Sequence, residues 1–197
     1  MPPRMILMLC AVLVLTCAGA DHAHGQAAIS PPAVGGVLPN LSLPVPDRPE
    51  ERQYLGLEGK GTFKIPEVRA EVVLIEIFSM YCTFCQKDAP GVNELHRLIN
   101  DDSDLKNRIK LIGIGAGNSP FEVDTFRKTY SVGFPLFPDQ DFSRHEALGK
   151  TRTPYFIVIR VNKDGSHRVI YSKVGSFGEP KSFLEFILKE SGLKKGA

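Results

Sequence analysis

The sequence predicts an α/β protein built on a central mixed β-sheet flanked by helices. Three observations predict it. The apolar run Val72–Phe78, interrupted only by Glu76, reads as a strand buried on both faces. Residues 83 to 99 place Val92, Leu95, Leu98 and Ile99 on one helical face. Two further apolar runs, 155–161 and 167–171, flank Asn162-Lys163-Asp164-Gly165, a hairpin turn that adds antiparallel pairing.

The elements follow in order. Arg4, an apolar stretch from Ile6 to Leu15 and the small residues Ala18-Gly19-Ala20 form an export signal over residues 1–20, with cleavage after Ala20. The apolar stretch is short for a membrane span. Residues 21–49 carry Pro31-Pro32, Gly35-Gly36 and prolines 39, 44, 46 and 49, the composition of a flexible, extended N-terminal segment. Leu38, Leu41, Leu43 and Val45 give its last part apolar anchors for the domain.

The compact domain is expected over residues 50–197. Thr62-Phe63-Lys64-Ile65 is a short strand, and Val72–Phe78 the main one. The helix from Thr83 contains Pro90, which removes an amide donor and predicts a kink one to two turns in. A strand over 109–114 and a helix over 120–130 come next, the helix capped by Ser119. A short amphipathic segment near 142–148 leads to Thr153-Pro154 and the hairpin. A helix over 179–189, carrying Phe183, Phe186, Ile187 and Leu188, closes the chain. Alternation of these elements describes a sheet covered on both faces.

Composition excludes some classes of function. The chain has 197 residues, 43% of them hydrophobic and 23% charged, which is ordinary for one globular domain. Its net charge of +2, one unit of it from Arg4, leaves no nucleic-acid footprint. Gly113-Ile114-Gly115-Ala116-Gly117 echoes a dinucleotide loop, but its spacing departs from the full fingerprint. His96, His145 and His167 show no metal-ligand spacing, and no metal or other cofactor is expected.

Cleavage of the signal removes Cys10 and Cys17, so Cys82 and Cys85 remain as one CxxC pair. A disulfide between them closes too short a loop to stabilise much, and its value lies in opening and closing. Phe78-Ser79-Met80-Tyr81-Cys82-Thr83-Phe84-Cys85, together with Thr153-Pro154 ahead of a strand and hairpin, resembles the thioredoxin-like superfamily. The export signal and extra N-terminal segment resemble its periplasmic TlpA and ResA branch. The resemblance implies a thioredoxin-like fold with the CxxC at the N-terminus of the first major helix.

It also implies a division of labour. A thiolate at Cys82 meets the unpaired amides of the first helical turn, which stabilise negative charge, so Cys82 attacks. Cys85, on the same side and deeper, resolves the mixed disulfide. Glu76, anomalous within its apolar run, occupies the position six before the first cysteine where thioredoxins carry an acid, and by resemblance takes the proton from Cys85. Pro154, cis by resemblance, and Thr153 present backbone to a substrate chain, with Tyr81 and Phe84 as apolar contacts. Tyr81 stands where the family usually has tryptophan, and Thr83-Phe84 matches neither the thioredoxin nor the strongly oxidising dipeptide.

The function expected is therefore an exported, periplasmic thiol-disulfide oxidoreductase acting on protein thiols, with a redox-active disulfide in place of a cofactor. The branch implies reduction of disulfides in cytochrome c or copper-site maturation, fed by a membrane electron donor. Retention of the N-terminus as a membrane tether is the alternative location. A copper or other metal carrier using the reduced cysteine pair, and a non-catalytic docking protein, are the competing functions.

Overall fold

The computed structural model describes residues 30–194 and 196, so the expected export signal and its cleavage point lie outside the described residues. The chain runs through β1 (Ser42–Pro44), α1 (Pro49–Leu55), β2 (Thr62–Lys64), β3 (Val72–Phe78), α2 (Thr83–Asn100), β4 (Ile109–Ala116) and α3 (Pro120–Tyr130). It continues through β5 (Leu136–Asp139), α4 (Ser143–Ala147), β6 (Tyr155–Val161), β7 (His167–Val174) and α5 (Pro180–Ser191). Five strands form one sheet in the order β5-β4-β3-β6-β7, while β1 and β2 pair separately as a small antiparallel ribbon.

β3 lies at the centre of the sheet, parallel to β4 and antiparallel to β6. Every one of its residues is buried, Glu76 included, as a central strand covered on both faces requires. Side chains alternate across a strand, and the two faces of β3 enter two different cores. Val72, Leu74 and Phe78 pack with Cys85, Ala89, Val92 and Leu95 of α2, Val123 and Phe126 of α3, and Phe183 and Ile187 of α5. Val73, Ile75 and Ile77 pack against Leu38, Leu41, Leu43, Leu55, Phe63 and Ile65. Glu76 has the parity of Leu74 and Phe78 and so belongs to the face covered by α2.

The second face is covered largely by the N-terminal segment. Leu38, Leu41 and Leu43 of the segment expected over residues 21–49 are buried, and Leu43 pairs with Phe63 across the β1–β2 ribbon. Gly35 and Gly36 exchange backbone hydrogen bonds with Val169, and the Leu38 amide donates to His167 Nε2 at 3.0 Å. The segment thus lies along β7, an outer strand of the sheet, and shields an edge that would otherwise template pairing with another chain.

Pro90 lies inside α2, which continues unbroken to Asn100. The glycines of β4 have a packing reason. A Cβ at Gly113 would overlap Leu136 of β5, and one at Gly115 would come within 2.9 Å of Val123. They allow close approach of β5 and α3 rather than a nucleotide loop. Sequence periodicity passes over β5 because it is four residues long and contains Pro138, which is tolerated here on the outer strand.

Candidate functional site

Where β3 ends, the chain turns through Ser79-Met80-Tyr81 and enters α2. Backbone and amide bonds hold this turn: the Met80 amide donates to Asn118 Oδ1 at 2.8 Å, and Gln86 Nε2 donates to the Met80 carbonyl at 2.7 Å. Asn118 is fully buried and also reaches Ser79 Oγ, so the loop after β4 braces the loop after β3.

Cys82 is the N-cap of α2. Its Sγ accepts the Cys85 amide at 3.2 Å, placing sulfur where the helix offers unpaired donors. The same Sγ, as a thiol, donates to the Thr153 carbonyl at 3.3 Å, across 71 residues of sequence. Thr153–Pro154 is a cis peptide bond. The structure therefore brings Cys82, Cys85, Thr153 and Pro154 together at one end of the sheet. Both thiols are free, Cys82 half-buried and Cys85 buried. Burial, and then the hydrogen bond with Cys82, push the Cys85 thiol well up, while the Ser79 amide and Thr153 hydroxyl act against that shift.

Glu76 is 2% exposed and its Oε1 has no hydrogen-bond partner. Burial first, and the neighbouring Asp88 carboxylate second, push it up to about 8. Asp88, on α2 three residues beyond Cys85, is likewise raised by burial, against which the Ser176 hydroxyl works. The immediate electrostatic neighbour of Glu76 is thus Asp88 rather than a cysteine. Glu76 is a buried carboxyl with a part-buried carboxylate acting on it, able to hold a proton near neutral pH.

Tyr81 and Phe84 are 68% and 67% exposed on either side of Cys82. The Tyr81 hydroxyl donates to Glu122 Oε1, while Glu122 Oε2 closes the capping box of α3 with Ser119. Lys87 lies over the Phe84 ring at 5.9 Å. Among the described residues, no group of three or more His, Cys, Asp or Glu gathers as a metal site.

Sequence reasoning missed Asp88, Asn118 and Glu122. Asp88 was within reach, since a residue three beyond Cys85 shares its helix face. Asn118 carried no local signal for its bond to Met80, 38 positions away, and Glu122 showed only its capping-box spacing from Ser119, not its bond to Tyr81, 41 positions away.

No protein-family model matches the chain. It is 22% identical over 131 residues to the thiol-disulfide oxidoreductase ResA of Geobacillus thermodenitrificans, covering 66% of this chain and 71% of that one. A secreted thiol-disulfide isomerase from Corynebacterium glutamicum superposes with a TM-score of 0.56 at 18% identity, over 79% of this chain and 85% of its own. A secreted Mycobacterium tuberculosis disulfide oxidoreductase homologous to E. coli DsbE gives 0.51 at 15% identity, over 66% and 90%. With the cysteine pair at the start of α2, these likenesses give the chain a thioredoxin-like fold and make it similar to the ResA thiol-disulfide oxidoreductase.

Proposed function

We propose that this protein is an exported thiol-disulfide oxidoreductase that reduces disulfides in protein substrates outside the cytoplasm. The observation that carries the reading is the asymmetry of the pair: Cys82 is accessible at a helix N-cap, and Cys85 is buried one turn along. The Cys82 thiolate attacks one sulfur of a substrate disulfide, forming a mixed disulfide and releasing the other sulfur as a thiolate. Cys85 then loses its proton and attacks Cys82 Sγ, which frees the second substrate sulfur and leaves the Cys82–Cys85 disulfide. Two electrons have passed to the substrate. Glu76, with Asp88 beside it, is the group proposed to receive the Cys85 proton, because a carboxylate poised near 8 exchanges protons at working pH.

The sequence's resemblance to the periplasmic TlpA and ResA branch supports this direction, and a reductant in an oxidising compartment needs a dedicated electron donor, which we place at the membrane. Maturation of cytochrome c or of copper-site thiols is the process this reading assigns. The export signal expected at residues 1–20 supports a periplasmic location, with an N-terminal tether as the variant arrangement. Among the described residues no helix is long and apolar enough to cross a membrane.

Equilibration of the Cys82–Cys85 couple in glutathione and dithiothreitol buffers tests the reading. A reduction potential near or below roughly −250 mV is expected, whereas one near about −120 mV would make the protein a disulfide donor and overturn it.

A further inference from the structure

Beside Cys82 the surface opens into a groove of about 420 Å³. Tyr81, Thr153, Arg152 and Gly117 line it, together with a wall made by Phe142 and His145. The groove is continuous with the reactive site, because Tyr81 adjoins Cys82 and the Thr153 carbonyl contacts Cys82 Sγ.

Phe142 is the feature the redox chemistry leaves unexplained. It is 46% exposed and adopts φ 60°, a left-handed backbone that a bulky residue rarely takes. Its ring lies against Gly117, itself at φ 65°, where a Cβ would overlap the ring. Bonds from beneath hold this wall in place. The Asp139 carboxylate accepts the Arg144 and His145 amides at 3.0 and 2.8 Å. His145 Nε2 donates to the Thr151 carbonyl at 2.6 Å, tying α4 to the loop that carries Pro154. The wall is therefore preformed, with an aromatic ring presented to solvent in the groove.

The geometry points to a specificity subsite: the groove takes a large apolar side chain next to the reacting cysteine of an extended polypeptide. The occupant is a polypeptide rather than a small hydrophilic thiol because the groove lies beside Thr153, which contacts Cys82 Sγ, and is lined by the exposed Phe142 ring. A side chain flanking the reacting cysteine can cover that ring, whereas a solvated tripeptide thiol gains little there. The inference rests on the oxidoreductase reading and adds Phe142 to it as a residue that selects substrate.

The test compares two disulfide-bonded peptides differing only in Phe or Ser beside the cysteine, with oxidised glutathione as a third substrate. The reduced protein should favour the Phe peptide by roughly tenfold in kcat/KM, the discrimination one apolar contact supplies. Phe142→Ala should abolish that preference while sparing glutathione turnover, and Phe142→Leu should keep most of it. Phe121→Ala removes a 79% exposed ring that does not line the groove and should change nothing. Equal rates on the two peptides, or an unchanged preference in Phe142→Ala, overturn the subsite while leaving the oxidoreductase intact. Faster turnover of glutathione than of either peptide, with dependence on Arg152, assigns the groove to the small thiol instead. Failure to reduce all three substrates removes the oxidoreductase reading, and the subsite with it.

Discussion

Glu71 and Glu76 stand five residues apart at opposite ends of the same central strand, in opposite surroundings. Glu71 receives Arg108 Nε at 2.6 Å and Arg160 NH2 at 2.8 Å, and the Arg108 hydrogen bond holds its carboxyl below the ordinary range. Glu76 has no cation, and burial beside another carboxylate drives it up to about 8. At one end a charge ties three strands together, since Glu71 precedes β3, Arg108 precedes β4 and Arg160 lies on β6. At the other end the same residue type is held up in pKa by burial, which weakens the fold at neutral pH, and it is the group proposed to exchange the Cys85 proton. Stability and reactivity are thus separated along one strand.

The largest effect that sharpens this separation belongs to the reactive end alone. Cys82→Ser should lower disulfide reduction, followed by insulin turbidity, by at least about a thousandfold, because the attacking group is lost. Its thermal midpoint should stay near that of the reduced parent. Cys85→Ser should instead accumulate a mixed disulfide with substrate, visible as a shifted band on a non-reducing gel.

Glu76→Gln comes next. The carboxyl titrates near 4.5 when unfolded and near 8 when folded. Its contribution to stability is therefore intact below pH 4.5 and lost as pH rises toward 8. The variant should be more stable than the parent at pH 8, by on the order of 4 kcal/mol, with the gain vanishing near pH 4. Resolution of the mixed disulfide should slow at the same time. Equal denaturant midpoints for the two proteins at pH 8 would contradict the account of Glu76.

Asp88→Asn removes the like charge and should lower the Glu76 pKa by roughly half a unit to one unit. A carbon-13 titration of the Glu76 carboxyl reads that shift directly. The smallest effect is at the structural end. Glu71→Gln should cost at most about 1 kcal/mol, because the ion cluster is partly open to solvent. Its pH dependence has the opposite sign to that of Glu76. A depressed carboxyl stabilises above its unfolded value near 4.5 and stops doing so as pH falls, so the penalty should fade in acid with activity unchanged.

Much of this architecture was legible because its signals are local. A seven-residue apolar run, a helical stripe from Val92 to Ile99 and a four-residue turn locate β3, α2 and the β6–β7 hairpin. The cysteine pair marks the reactive end by spacing alone, and Glu76 stands out because an acid breaks the run. The covering of the second face was harder to read. Proline-rich sequence implies extended chain, which Leu38–Leu43 is, but extended chain can pack as well as wander. β5, α1 and the brace from Asn118 to Met80 had no periodicity long enough to register.

The sequence by itself determined the element types, the central strand, the two thiols and the presence of an out-of-place acid beside them, because each depends on residues within a few positions of one another. Only the tertiary structure decided that Thr153 meets Cys82, that the N-terminal leucines close the second core and that Phe142 walls a groove beside the thiol. Those pairings join distant segments. They arise from burying two faces of one sheet at once, a constraint that acts on the folded chain as a whole.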